Sequence, residues 1–385
     1  MSDTSGQADP RLIELFGLGA AGFSAELLNH LPLPWDAPPQ TQKGATFSPP
    51  PYLLDKDLAA AAWVALLLRQ PLLLTGDPGV GKTRFAEKLA SDLQVGRPTM
   101  VQVKSTTSGR DLLYKFDDLG RFRDATIAGA IARTDGKYDA GKEKPLLSYV
   151  RPEGLGRAIL RAAGAKYPIE LDPAYGREEI FGAKLAGLAT LTLGDVFPDE
   201  FAGGAEPRHS VVLIDELDKA PRDTPNDLLG EIERMSFRFD ELGFRVTAAA
   251  RFKPIVVITS NAERNLPDAF LRRCVFHHIA TPGRDDMCRI AAARLGGDLR
   301  PDGPLITSAW ELFERITQTI TEKKPGTAEF IALVAYLRAT EKGGSAGTGV
   351  IDQERVSAAL RVFAKSKVDL LNAASIVAKS TTGGS

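Results

Sequence analysis

The chain has 385 residues, enough for two or three modules and a substantial core. Its 43% hydrophobic and 25% charged content is ordinary for a soluble protein, and 48 Lys plus Arg against 49 Asp plus Glu leave no global basic field for nucleic acid or an anionic membrane. Cys274 and Cys288 are too few for a disulfide framework or a Cys-based zinc site; Met1–Gln7 carries no signal pattern, and Leu58–Leu68 is too short to span a bilayer. A cytoplasmic protein without a membrane segment is expected.

Residues 1–50 read as an N-terminal helical segment and linker. Leu12, Leu15, Phe16, Leu27, Leu28 and Leu31 recur at helical spacing, interrupted by Gly17 and Gly19, so two short helices are predicted. Pro32–Pro51 is proline-rich and extended. A helix over Leu53–Leu68 then leads into Pro71–Thr75, an apolar run that predicts a buried strand. Directly after it stand Gly76, Asp77, Pro78, Gly79, Val80, Gly81, Lys82 and Thr83, which fit the pattern G-x-x-x-x-G-K-[ST], and Arg84–Ala90 continues as a helix. A glycine turn matching by chance would not carry both flanking elements.

Thr99–Val103 is a second strand, followed by a polar turn, Ser105–Leu113, that opens a short helix. Residues 117–160 mix charge and glycine. Over 161–208 only Glu178–Leu191 has a helical pattern, and Phe197–Pro207 has loop composition; an insertion forming a surface excursion outside the sheet is predicted there. Val211–Ile214 reads as a buried parallel strand, Thr224–Met235 as a helix. Phe237–Phe239 and Phe244–Val246 flank a turn as a hairpin, and Ile255–Thr259 and Val275–Ile279 are further strands. His277 and His278 alternate across the last of these and cannot both face one metal. Beyond Pro282 only helices are predicted, at about 284–296, 306–322, 327–341 and 352–378, with Trp310, Tyr336 and Phe363 as core residues and a glycine-rich loop at Gly343–Gly347. Strands alternating with helices, then helices alone, give an α/β nucleotide domain with a helical domain appended.

The chemistry follows from what ends each strand. A glycine loop between a strand and a helix N-terminus offers backbone N–H groups to phosphate. Lys82 can reach the β- and γ-phosphates and Thr83 can offer its hydroxyl to Mg²⁺. The bound ligand is then a nucleoside triphosphate. Asp215, ending the Val211 strand, suits the second Mg²⁺ contact, and Glu216 beside it can polarise a water for attack on the γ-phosphate. Asn261, after the Ile255 strand, can hydrogen-bond that water or the γ-phosphate.

Together these pieces resemble AAA+ ATPases, and among them the MoxR group: Gly76–Thr83, Thr107–Tyr114 with Phe116-Asp117, Leu213–Pro221 with Asn226–Leu229, and above all Thr259–Cys274. The resemblance covers about residues 50–340 and implies a P-loop αβα sandwich with a five-stranded parallel sheet, a C-terminal helical lid and a homo-oligomeric, hexameric ring. It makes Lys82 and Thr83 Walker A, Asp215 and Glu216 Walker B, Asn261 sensor 1, and Arg272 and Arg273 the arginine-finger candidates. It also implies a pore-facing hairpin at about 236–253, ATP and Mg²⁺ as cofactors, a protein substrate, and a partner carrying a von Willebrand factor A domain. The chain departs from many AAA+ proteins at Lys323–Glu329, where no arginine stands, so that sensor 2 is either Lys324 or absent.

The implied domains are 1–50, 51–281 for the nucleotide-binding unit with its insertion at about 161–208, and 282–385 for the lid. Two other functions fit less well. A P-loop small-molecule kinase would need its own substrate pocket and no neighbour's arginine. An AAA+ nucleic-acid motor or restriction-type NTPase would be expected to show a basic, aromatic-interleaved run, which this sequence lacks.

Overall fold

The computed structural model describes residues 47, 49–135, 144–261, 263–318, 320, 324–340 and 353–363. The helices expected over 11–31, most of the proline-rich linker, the glycine-rich loop at 343–347 and the last helix beyond 363 lie outside the described residues. The chain forms two compact units, one of residues 56–74 and 86–277, the other of 49–55, 75–85 and the described residues from 278 onward.

In chain order the elements begin with α1 (Lys56–Leu68), β1 (Leu72–Thr75), α2 (Lys82–Asp92), β2 (Thr99–Gln102), β3 (Tyr114–Phe116), α3 (Asp118–Asp135) and β4 (Val150–Pro152). They continue with α4 (Gly154–Ala163), α5 (Arg177–Ala186), α6 (Leu193–Val196), β5 (Val211–Asp215), α7 (Thr224–Arg234), β6 (Ser236–Phe239), β7 (Phe244–Thr247), β8 (Ile255–Ser260), α8 (Asp268–Leu271) and β9 (Val275–His278). The last are α9 (Arg284–Leu295), α10 (Pro304–Thr317), α11 (Thr327–Ala339) and α12 (Gln353–Phe363).

Five strands form one parallel sheet in the order β2-β5-β8-β1-β9. Val101 pairs with Ile214, and Ile214 in turn with Ile258. On the other side the Val275 N–H donates to Pro71 O and the Ile279 N–H to Thr75 O, numbers that rise together as parallel strands require. The apolar runs explain the order. Val211, Val212, Leu213 and Ile214 are wholly buried, as a central parallel strand covered on both faces must be. The edge strand β9 instead alternates, half-buried at Val275 and His277 and exposed at Phe276 and His278.

Residues 161–208 correct the expected surface excursion. They add no strand to the sheet, but Ile180, Phe181, Leu193, Val196, Phe197 and Phe201 join the same apolar cluster as Val212, Ile214 and Ile258. The hairpin β6–β7, with Phe237 paired to Val246 and Phe239 to Phe244, is what they pack on. Phe181 lies 6.1 Å from Phe244 and Phe197 5.3 Å from Phe239, ring centre to ring centre. Glu200, buried, is held by Arg157 at 2.8 Å and Arg161 at 3.0 Å from α4. Asp172 and Tyr175 pin the hairpin tip: Arg238 pairs with Asp172 at 2.8 Å, and the Tyr175 hydroxyl donates to Asp240 O at 2.8 Å. Loop-like composition here reflects short helices joined by turns, not exposure.

Between Thr107 and Gly154 the antiparallel pair β3–β4 brackets α3, which leaves Leu119, Phe122 and Ile127 exposed. The second unit is built on α11, which packs on α9, α10 and α12. Its core includes Ile306, Phe313, Phe330, Leu333 and Phe363, with Trp310 and Tyr336 packed against it.

Candidate functional site

The loop after β1 takes its shape from three glycines. Gly76, Gly79 and Gly81 have φ of 142°, 86° and 101°, in the region that L side chains avoid. A Cβ at Gly76 would lie 2.4 Å from Ile279 O, a collision with backbone, and one at Gly81 3.1 Å from the Tyr52 ring. The backbone amides of Gly79 and Gly81 meet no acceptor among the described residues. That is the geometry of a cradle for an anion at a helix N-terminus, since α2 starts at Lys82. Lys82 is buried, and its ammonium donates to Gly76 O at 2.7 Å and Asp77 O at 3.0 Å, so the cation sits across the loop itself. The Thr281 hydroxyl donates to Asp77 Oδ2 at 2.6 Å, fixing the loop's first turn. A polyphosphate fits this loop, and Thr83, in the first turn of α2, fits the role of metal-ligating hydroxyl.

Two neighbours of the loop were not legible from the motif. The Tyr52 ring packs edge-on to Phe85 at 6.1 Å, and burial, with the Asp55 charge second, holds its hydroxyl well above the usual tyrosine range. The first turn of α11 also reaches the loop, with Ala328 3.4 Å from where a Gly79 Cβ would be. Lys324, the cation considered for sensor 2, is exposed three residues before α11 begins.

The carboxylates form a second, separate arrangement at the ends of β5 and β8. Thr259, wholly buried on β8, donates its hydroxyl to Asp215 Oδ1 at 2.6 Å and accepts the Glu216 N–H at 2.8 Å. Glu216 is left-handed, φ 60° and ψ 50°, a conformation that costs a non-glycine residue about 1 kcal/mol or more. Asn261 Nδ2 donates to Glu216 Oε1 at 2.9 Å, and the Lys219 ammonium donates to Oε2 at 2.6 Å. That hydrogen bond to Glu216 raises the Lys219 ammonium above its usual range. Asp218 is buried and accepts the Asn261 N–H at 3.2 Å and the Glu263 N–H at 3.0 Å, which ties the segment after β8 to the segment after β5.

The structure brings Asp215, Glu216 and Asn261 together, and with them Thr259, Asp218 and Lys219. Thr259 and Asp218 carry no pattern of their own; their partners lie about 45 residues away in sequence and meet only when β5 pairs with β8. The two finger candidates separate. Arg273 is engaged with Glu233 of α7 and with Ala269 O, whereas Arg272 is exposed and makes no such pairing among the described residues.

Residues 71–147 match the family model of the AAA domain (dynein-related subfamily). No curated protein matches the chain. Among solved structures it is similar to the crystal structure of the FIGL-1 AAA domain in complex with ADP, over 82% of this chain and 79% of that one, at 15% identity and a TM-score of 0.32. The chain has a P-loop αβα fold, and the segment that matches the family model runs from β1 through the glycine loop to Leu147. Among the described residues no helix is long and apolar enough to cross a membrane.

Proposed function

We propose that this chain is an ATPase of the MoxR type, which hydrolyses ATP with Mg²⁺ in a homo-oligomeric ring and uses the cycle to remodel or activate a partner protein in the cytoplasm. The observation that carries the reading is the grip on Glu216: a strained carboxylate at a strand end, oriented by Asn261 and set beside an Asp215 that Thr259 holds in place. Thr259 is wholly buried and Asn261 partly so, whereas a solvated carboxylate pair would draw no such partners.

In this reading Gly76, Asp77, Pro78, Gly79, Val80 and Gly81 cradle the triphosphate, and Lys82 neutralises the β- and γ-phosphates. Thr83 and Asp215 hold Mg²⁺, which offsets the charge on the transferring group. Glu216 accepts the proton of the attacking water, and Asn261 orients that water or the γ-phosphate. Arg272 enters the neighbouring subunit's site as the finger, Arg273 being occupied by Glu233. The working boundaries are 51–281 for the nucleotide-binding domain and 282–385 for the lid; the hairpin β6–β7 faces the pore. The partner carries a von Willebrand factor A domain, and nucleic acid is not the substrate.

The test mixes subunits. Arg272→Ala chains and Lys82→Ala chains are each expected to be nearly inactive, and Arg273→Ala chains to retain most activity. A finger supplied in trans contributes about 10³–10⁵ in rate in related phosphoryl-transfer systems. Rings containing both mutants hold some interfaces with an intact loop facing an intact arginine, so turnover reappears on mixing and rises with protein concentration. No recovery in rings shown to be mixed, with a rate independent of concentration, would leave a monomeric enzyme. Stimulation by DNA rather than by protein would point to the nucleic-acid motor instead.

A further inference from the structure

The turn after β5 carries a buried carboxylate to which the ATPase reading gives no part. Asp218 is 3% exposed, and removing its charge from water is costly unless strong hydrogen bonds replace the lost hydration. Backbone amides replace it. Asp218 Oδ2 accepts the Asn261 N–H at 3.2 Å and the Glu263 N–H at 3.0 Å, and Oδ1 lies 3.3 Å from the Asn261 nitrogen. One carboxylate oxygen therefore serves both N–H groups, which converge on it from 43 and 45 residues further along the chain, in the segment that leaves β8. Hydrogen bonds to an ionised acceptor are stronger than neutral ones, so this is a firm hold.

These bonds close a circuit around Glu216. Glu216 and Asp218 are two residues apart, and the Lys219 N–H donates to Glu216 O at 3.0 Å, which keeps the turn between them tight. Asn261 meets both ends of that turn: its backbone N–H is held by Asp218, and its side-chain Nδ2 donates to Glu216 Oε1 at 2.9 Å. Holding the two strands together needs no carboxylate at 218. β5 and β8 pair from Val211 with Ile255 to Ile214 with Ile258, and the Arg264 guanidinium donates to Ala220 O at 3.4 Å beyond the turn. What Asp218 adds is the backbone position of Asn261 itself.

We propose that Asp218 is a positioning residue for ATP hydrolysis: it fixes the backbone of Asn261, so that the Asn261 side chain holds Glu216 in the orientation that receives the attacking water's proton. This role rests on the ATPase reading, and within it Asp218 acts only through Asn261.

The full chain tests it in two ways. Without nucleotide, amide hydrogen exchange at Asn261 and Glu263 is expected to be slow in the parent and about tenfold faster or more in Asp218→Ala. With ATP, single-turnover hydrolysis by Asp218→Ala is expected to fall about tenfold with nucleotide affinity within about twofold of the parent. That loss lies between one hydrogen bond and the about 10²-fold cost of misplacing a reacting group by roughly 1 Å. Asp218→Asn keeps one oxygen for the two amides and is expected to recover most of the turnover. Asp218→Cys, similar in volume and a weak acceptor, gives the same readings should the alanine variant unfold. In an Asn261→Ala background, where the side chain to be positioned is gone, Asp218→Ala is expected to cost no further turnover.

Fast exchange at both amides in the parent, exchange unchanged by the substitutions, or unchanged turnover overturns the proposal. So does an equal loss of nucleotide affinity, or the same further loss in the Asn261→Ala background, which would make Asp218 a brace for the turn. A parent that does not hydrolyse ATP overturns the ATPase reading and this role with it; a parent that does, with any of those results, overturns this role alone.

Discussion

The glycine loop and the carboxylate cluster are built in opposite ways. The loop is eight consecutive residues whose conformation comes from three glycines and a helix start, and its working groups are mostly backbone. The cluster takes Asp215, Glu216, Asp218 and Lys219 from one strand end and Thr259 and Asn261 from another, and its working groups are side chains that orient one another. A local backbone device tolerates change around it as long as its glycines stay. A long-range side-chain device depends on strand register, because a one-residue slip of β5 against β8 would turn Thr259 away from Asp215.

The sharpest way to separate the two is by what each loses. Glu216→Gln is expected to lower ATP turnover by about 10²–10⁴, the usual contribution of a general base, with nucleotide affinity within a few-fold of the parent. Single-turnover kinetics beside equilibrium nucleotide binding reads both quantities. If affinity falls as far as turnover, Glu216 belongs to binding and the contrast with the loop disappears.

Next in size is the core under the cluster. Phe181→Ala removes a buried ring shared between α5 and the hairpin β6–β7 and is expected to cost about 3–5 kcal/mol, measured by urea unfolding. Deleting 161–208 should unfold the β5–β8 unit for the same reason. A stable deletion variant would restore the view of this segment as a separable excursion.

Lys82→Ala has the opposite signature to Glu216→Gln. ATP affinity is expected to fall about 10- to 150-fold, corresponding to charge-assisted bonds of roughly 1.5–3 kcal/mol. Fluorescent-nucleotide titration measures it, and thermal stability without nucleotide should change little. A protein that binds as before would remove Lys82 from the cradle.

Thr259→Val tests whether the cluster acts as a unit. The substitution keeps the shape and removes the hydroxyl that joins Asp215 to the Glu216 amide. Turnover should drop about tenfold, near 1.4 kcal/mol, with affinity again unchanged. No effect would make Thr259 a packing residue only.

An effect of similar size concerns pH. His209 precedes β5, and its folded pKa of about 4 lies below its ordinary value of 6.5. The unfolded chain therefore binds the proton more tightly, and the stability this histidine contributes is complete above pH 6.5 and lost as pH falls toward 4. By pH 5 the loss relative to pH 7 should be about 1–2 kcal/mol, seen as a falling unfolding midpoint that His209→Gln flattens. An equal fall in the variant would assign the acid sensitivity to other groups.

How much of this was legible in advance follows the same division. By itself the sequence determined the local devices: the glycine loop between strand and helix, the apolar strands that had to be buried, the hairpin at Phe237–Val246, the helical C-terminal unit, and Asp215, Glu216 and Asn261 as the polar residues where apolar runs stop. Each rests on spacing within a few residues, which backbone geometry converts directly into structure. Only the tertiary structure decided the strand order, the burial of 161–208, the partnership of Thr259 and Asp218 with the carboxylates, the approach of Tyr52 and Ala328 to the loop, and the difference between the adjacent Arg272 and Arg273. Those depend on which distant surfaces meet, and hydrophobic burial and strand pairing across tens of residues leave no periodic mark at the positions they bring together.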